Sequence, residues 1–542
     1  MSLFQGLCRR LAAAVCIVAT TLPAWGQDGR QGRLVDVAWL QRHAAEVLLL
    51  DASFTSHHRA GHIAGAVSAD LYRYGPNEVS RAAMEQRLQS WGVSPGRKIV
   101  VYDRGADMMA PRLFYDLYYN GVPADDLFIL DGGLTRWRAQ GGAVVQDTTS
   151  PPTPGSFRIG NTREEVRVRL PEFLVASGDP ARHALVEALE LNYHYGTQKF
   201  FDRAGHVPNA MPMPSEDFFN ADKTFKSPEE IARMARHLGI RQDQVVHSHC
   251  GGGVAAAVPW FALQFIVGHP QVKLYLESQR EWLRDERGLP YWTYGAPQLQ
   301  RSSGWLDGWN APMLRAFGVA KLAVIDVRAP ARYAEGHVPA ALNIPAETLR
   351  RQLRQPEQLA TLLAQAGVDP AHDLVIVDEP GLSRDAALAF LALESLGHRK
   401  VAVLAESMDE WALRGHVLTK DVPPAAAAKT GWPVANAAVP RRNAVLVDPT
   451  ASRGEYPKVF VAAGQAAPAR KPEGTWVHLP HTALLNANGT PKTAQDLWPL
   501  IHKAGVPRHA EVVFYADDPG DAAINYYVFR LMGWPDVKVW VY

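Results

Sequence analysis

Residues Val245 to Trp260 read VVHSHCGGGVAAAVPW. The first five suit a short buried strand, Gly251, Gly252 and Gly253 break it, and the alanine-rich continuation has a helical pattern. A strand, a tight turn and a helix in that order make half of a βαβ unit, which predicts a parallel sheet. Cys250 falls at the break, where strand ends and helix N-termini gather ligands in such sheets.

The same arrangement recurs outward from this stretch. The apolar runs KIVVYDRG (98–105), LVIVDEPG (374–381) and EVVFYADD (511–518) also end near a glycine or a turn, and helical patterns such as MAPRLFYDLYYNG and AINYYVFRLMGW follow. An earlier apolar run ending in an acid precedes each: VLLLDAS (47–53), ALVEAL (184–189), LAVIDVR (322–328) and AVLVDPT (444–450). Three of these lead to a Gly-His turn holding His62, His206 and His337, whose recurrence points to a role in the fold. Wholly apolar strands alternating with helices predict parallel sheets flanked by helices on both faces. Breaker-rich stretches at 146–156, 294–304 and 421–440 separate the repeats. The expected organisation is α/β, four tandem units over residues 33–145, 157–293, 305–420 and 441–542.

A net charge of +1 gives no basic field, so nucleic acid is not expected as a partner. Near the N-terminus, Arg9 and Arg10 precede an apolar run from Leu11 to Leu22, and Ala24-Trp25-Gly26 supplies small residues for cleavage. Residues 1–26 are therefore expected to be a signal peptide, the protein exported to the periplasm, and no membrane span left afterwards. Of the three cysteines, Cys8 and Cys16 lie in that segment. Cys250 then has no disulfide partner, and a lone exported thiol is either inert through burial or kept for chemistry.

The glycines after Cys250 lack Cβ, so successive N–H groups can turn toward one point, beside a helix N-terminus. Such a cradle favours a nucleophilic thiolate and would hold the outer sulfur of a persulfide. A metal site is not expected: on a strand His247 and His249 share one face and Cys250 points to the other. A phosphate-clamping cysteine loop would need an arginine, and none stands in GGGVAAAVPW.

This constellation resembles the rhodanese family of sulfurtransferases. The resemblance rests on the loop Cys250-Gly251-Gly252-Gly253-Val254-Ala255, on Arg203-Ala-Gly-His-Val-Pro-Asn-Ala210, on Leu130-Asp-Gly-Gly-Leu-Thr-Arg-Trp137 and on Ser278-Gln-Arg-Glu-Trp282. The loop is similar to the Cys-Gly-Ser-Gly-Val-Thr of mercaptopyruvate enzymes, with Gly252 for Ser and Ala255 for Thr. The resemblance implies rhodanese-like domains in tandem and no metal or organic cofactor. It implies that Cys250 takes a sulfane sulfur from thiosulfate or 3-mercaptopyruvate and passes it to cyanide, a thiol or a protein acceptor. Gly251 to Ala255 would line the substrate, Arg203 would meet its charge, and His249 would act on the thiolate electrostatically. Mercaptopyruvate enzymes carry an arginine where Leu189 stands, which leaves both donors open.

At the place of Cys250 the other units offer Asp103, Asp378-Glu379 and Ala516-Asp517. A carboxylate cannot accept and release sulfur, so these units are expected to be inactive, the first of them lining the cleft of the second. The contrasting reading, from another functional class, is a persulfide carrier without turnover or a partner-binding scaffold. Tyr291, Trp292, Tyr294, Trp305 and Trp309 are expected to pack between domains. Arg280, Arg284, Asp285, Glu286 and Arg287 are expected to form a solvated face.

Overall fold

The computed structural model describes residues 30–75, 78–146, 152–423, 431–432, 445–448, 450, 454–467 and 471–542. The expected signal peptide lies outside the described residues. Four parallel sheets follow one another, and each has the same strand order. In the second, Arg167–Val168, Val272–Tyr275, Val245–His249, His183–Glu187 and Ala210–Pro212 run edge to edge. In the third the order is Gln300–Arg301, Val401–Leu404, Asp373–Val377, Leu322–Asp326 and Ala341–Asn343. The first repeats it with Leu34–Val35, Leu127–Leu130, Ile99–Tyr102, Leu48–Asp51 and Val67–Ser68, and adds Arg30–Gln31 antiparallel at its edge. The central strands are apolar throughout because both of their faces are covered.

The fourth unit corrects one expectation. The run 444–450 is not its central strand: Leu446 bridges to Val539 at the sheet edge, and Lys458–Ala462 takes the centre beside Glu511–Tyr515. Each unit opens with an edge strand, and in this unit the edge strand is as apolar as a central one. Its two helices, Ala494–Lys503 and Pro519–Leu531, bury against the face holding Val459, Val461, Val512 and Phe514. The opposite face carries Phe460 and Tyr515 with the partly buried Trp476 and Trp540.

The units associate in pairs through equivalent helices. Helix Met109–Tyr119 of the first unit meets Ala257–Phe261 and the π turn Ala262–Val267 of the second, with Tyr115 edge-on to Trp260 at 4.9 Å and Phe114 to Phe261 at 4.9 Å. One apolar core therefore spans both units. Helices Arg384–Ser395 and Pro519–Leu531 repeat this in the second pair, where Phe390 packs on Tyr527 at 5.0 Å. The fourth unit docks on the second. The Tyr195 hydroxyl donates to the Met532 carbonyl at 3.0 Å, Arg508 pairs with Asp217 at 2.7 Å, and Trp498 Nε1 donates to Asn192 at 2.9 Å. Tyr294 shares in this packing, its hydroxyl on the Lys492 carbonyl, whereas Trp309 is exposed. Among the described residues no helix is long and apolar enough to cross a membrane.

Candidate active site

Cys250 follows immediately on the central strand Val245–His249, and its side chain is 1 % exposed at the seam between the first two units. The helix starts later than the sequence suggests, at Ala257 rather than near Val254. Glycine resists helix formation, and Gly253 holds φ +79, outside helical geometry. The result is a longer loop. Its backbone is stapled to the segment Ser278–Arg280: Cys250 N–H donates to Ser278 Oγ at 3.1 Å, and the carbonyls of Cys250 and Gly251 accept from Gln279 at 3.0 Å and Arg280 at 2.8 Å.

Gly253 N–H donates to Cys250 Sγ at 3.1 Å. Among the described residues the N–H groups of Gly251, Gly252, Val254 and Ala255 find no protein acceptor. An amide donating to a sulfur atom favours negative charge there, and amides without protein acceptors are free to take up an anion. A Cβ on Gly253 would come 2.2 Å from the Leu276 carbonyl oxygen, so only glycine fits there. Leu189 and Phe200 lie against Gly251, 3.9 and 3.6 Å from where its Cβ would stand, and Phe200 is 56 % exposed at the rim, stacked on Tyr193 at 4.1 Å.

The same slot in the first and third units is filled from within. Asp103 accepts N–H bonds from Gly105 and Ala110, both at 2.8 Å, and burial with Asp107 nearby raises its carboxyl to about 7. Asp378 accepts from Glu379 N–H at 2.8 Å and from the Ser383 hydroxyl. The carboxyl occupies the cradle that Cys250 leaves to a ligand.

Two expected site residues have other duties. Arg203 does not face the loop as an anion clamp: its terminal nitrogens donate to the carbonyls of Leu289, Trp282 and Arg284 at 2.5, 2.6 and 2.8 Å. Its guanidinium closes the end of helix Ser278–Trp282 instead. His249 is fully buried on the opposite face from Cys250, edge-on to Phe173 at 5.3 Å, and burial lowers its pKa to about 4. It is neutral near pH 7 and gives the thiolate no cationic partner. His247 shares that face and falls to about 3, so neither imidazole converges with the sulfur. The recurrent Gly-His imidazoles are structural, as expected: Nδ1 of His62, His206 and His337 donates to the carbonyls of His58, His194 and Tyr333 at 2.8, 2.7 and 2.9 Å. Each ring stacks on the side chain of that same residue.

The first unit contributes one group that sequence reasoning missed. Arg112, 1 % exposed, sends Nη1 to the Gly253 carbonyl at 3.4 Å. The available signal was an Arg and an Asp four apart on the otherwise apolar face of MAPRLFYDLYY.

The site is thus a strand-end thiol in a parallel α/β sheet, bonded by one loop amide and covered by a second sheet unit. Comparison with known proteins points the same way: residues 35–140 and 312–414 match the Rhodanese-like domain. Those matches fall on the first and third units, and the cysteine unit lies between them. The chain is 28 % identical over 268 residues to the sulfur carrier protein TtuD of Thermus thermophilus, covering 46 % of this chain and 93 % of that protein. It is 28 % identical over 263 residues to a Pseudomonas aeruginosa protein named as a probable 3-mercaptopyruvate sulfurtransferase, covering 45 % and 91 %. The crystal structure of the 3-mercaptopyruvate sulfotransferase SseA from Escherichia coli aligns at 24 % identity and a TM-score of 0.42, covering 46 % of this chain and 99 % of that one.

Proposed function

We propose that the protein is an exported sulfurtransferase that carries sulfane sulfur on Cys250. The Cys250 thiolate attacks the outer sulfur of thiosulfate. An S–S bond forms to the enzyme as the donor's S–S bond breaks and sulfite leaves with its electron pair. With 3-mercaptopyruvate the C–S bond breaks instead, and the enolate of pyruvate leaves and is protonated. Cyanide or a thiolate then takes the outer sulfur and returns the thiolate. One observation carries this reading: Gly253 N–H donates to Sγ, in a loop where four more amides are without a protein acceptor among the described residues. They match the negative charge that a terminal persulfide sulfur holds and that builds on sulfur during attack. The sulfurtransferase names of the relatives support the reaction class, and the Arg9–Gly26 pattern supports export.

The carrier reading, without turnover, has its own support in the 1 % exposure of Cys250. Incubation with thiosulfate or 3-mercaptopyruvate, followed by mass spectrometry, should show the gain of one sulfur atom on the wild type and none on Cys250→Ser. Thiocyanate formation on adding cyanide then separates turnover from carriage. Identical behaviour of wild type and Cys250→Ser in both assays overturns both readings.

A further inference from the structure

We propose that Arg112, contributed by the cysteine-free first unit, is a positioning residue for the Cys250 loop. The inference deepens the sulfurtransferase reading, and one arm of its test is independent of turnover. Arg112 is a fully buried cation at the seam of two units, set among the aromatic and aliphatic residues of their shared core, whereas the seam's other buried arginine, Arg167, pairs with Glu78 of the opposite unit at 2.7 Å. Arg112 Nε donates to Asp116 one turn along the same helix at 3.1 Å, and Asp116 also accepts from the Tyr74 hydroxyl at 2.8 Å. A buried ion pair is costly to desolvate, and an apolar pair of similar size often serves stability as well or better. A pair kept in that setting points to what its remaining donor does, and that donor crosses the seam to the Gly253 carbonyl.

The bond acts on the least constrained part of the site. Three glycines in a row let a peptide plane rotate at little steric cost. The amide of Gly253 points at Sγ, and the next peptide plane, between Gly253 and Val254, has its oxygen held by Arg112. Fixing that oxygen directs the Val254 N–H, which has no protein acceptor, away from Arg112. Released, the plane could turn a carbonyl toward the sulfur and oppose the negative charge it carries. The first unit is thereby a working part of the site through a backbone contact, although its own slot holds Asp103.

The test compares the wild type with Arg112→Met, Arg112→Gln and the double variant Arg112→Met/Asp116→Leu. The double variant removes a cation and an anion together, so the net charge near the sulfur is unchanged. Alkylation of Cys250 by iodoacetamide is followed on its own peptide as a function of pH, thermal stability is measured, and thiosulfate-to-cyanide turnover is measured in parallel. The double variant is expected to fold at least as stably as Arg112→Met, with its alkylation midpoint raised by about one pH unit. Its kcat is expected to fall by about tenfold or more, with KM within about twofold. An alkylation profile and kcat equal to wild type overturn the proposal and leave Arg112 a packing residue. If the double variant does not fold, Arg112→Gln decides by the same midpoint: raised supports the proposal, unchanged overturns it. A wild type without turnover would defeat the sulfurtransferase reading, and the alkylation arm would still decide the role of Arg112.

Discussion

Gly253→Ala tests the amide cradle most directly. The residue sits at φ +79, where an L side chain costs about 1–2 kcal/mol. The added Cβ would lie 2.2 Å from the Leu276 carbonyl oxygen, a backbone atom just past the strand Val272–Tyr275 rather than the far end of a flexible side chain. The loop must therefore retreat by about 1 Å, a misplacement that costs about 100-fold in rate at comparable sites. That movement breaks the 3.1 Å N–H···S contact. Removing one donor from an anion-stabilising site costs about 100- to 1000-fold in kcat, or about 3–4 kcal/mol. Gly253→Ala is thus expected to lose about 100-fold or more in thiocyanate formation while losing only about 1–2 kcal/mol in denaturant stability. Gly252→Ala is the internal control: its Cβ meets nothing within 4 Å and its φ is not positive. It should stay within about threefold of wild type, since unhindered surface changes are small. Equal kcat for Gly252→Ala and Gly253→Ala would refute the argument that the backbone of this loop holds the charge.

Three further outcomes follow from the same geometry. Arg203→Ala should lower stability by about 2–3 kcal/mol in urea titration, because three carbonyls lose a charged donor, while KM for thiosulfate and 3-mercaptopyruvate stays unchanged; a KM rise for one donor alone would restore the anion-clamp role. Leu189→Arg places a cation beside Gly251 and should lower KM for 3-mercaptopyruvate by about tenfold, the worth of one charged hydrogen bond, and an unchanged KM would show that the donor carboxylate does not lie there. Burial depresses His194, His206 and His247 to about 3 and His249 to about 4, against about 6.5 unfolded. The unfolded chain then binds more protons, so stability falls as pH drops from 6.5 toward 4, by about 2 kcal/mol per imidazole at pH 5. Glu187, raised by burial, works in the opposite sense. Urea titrations at pH 5, 6 and 7 should show this slope, with His249→Phe flattening it; a stability independent of pH would show that these imidazoles do not stay neutral when folded.

The parallel sheets and the place of Cys250 at a strand end were legible because short apolar runs and glycines act locally, whereas the strand order, set by pairing between distant segments, was not. Val245–His249 and Ile99–Tyr102 could only be buried central strands, and the loop after Cys250 could only be backbone. What was not legible depends on where chain segments far apart in sequence meet. Arg203 carries no local sign that three carbonyls of the segment 282–289 will take its donors. Arg112 lies 141 residues from the carbonyl it reaches. Residues 444–450 look like a central strand because an edge strand here has the same composition. The position of His249 on a strand did show its face, but not the depth of burial that keeps it neutral.

Why a second pair of units is retained can be argued from what fills its slot. Helix Arg384–Ser395 stands in the third unit where Met109–Tyr119 stands in the first, and it too sends an arginine across the seam. In the first pair that arginine meets a backbone carbonyl and leaves the loop amides open. In the second pair Arg384 meets Asp521 at 2.5 Å and Arg350 meets Asp518 at 2.7 Å, while Asp518 accepts the Gly520 N–H at 2.8 Å. Cation and amide are both satisfied by carboxylates of the chain itself, and Ala516 stands where the sulfur would be. An internal carboxylate is held at an effective concentration that a free anion in millimolar solution does not match. The cation and the amide of the second seam are therefore engaged by the chain's own carboxylates, and the fourth unit meets the cysteine unit at Arg508–Asp217 and Tyr195–Met532.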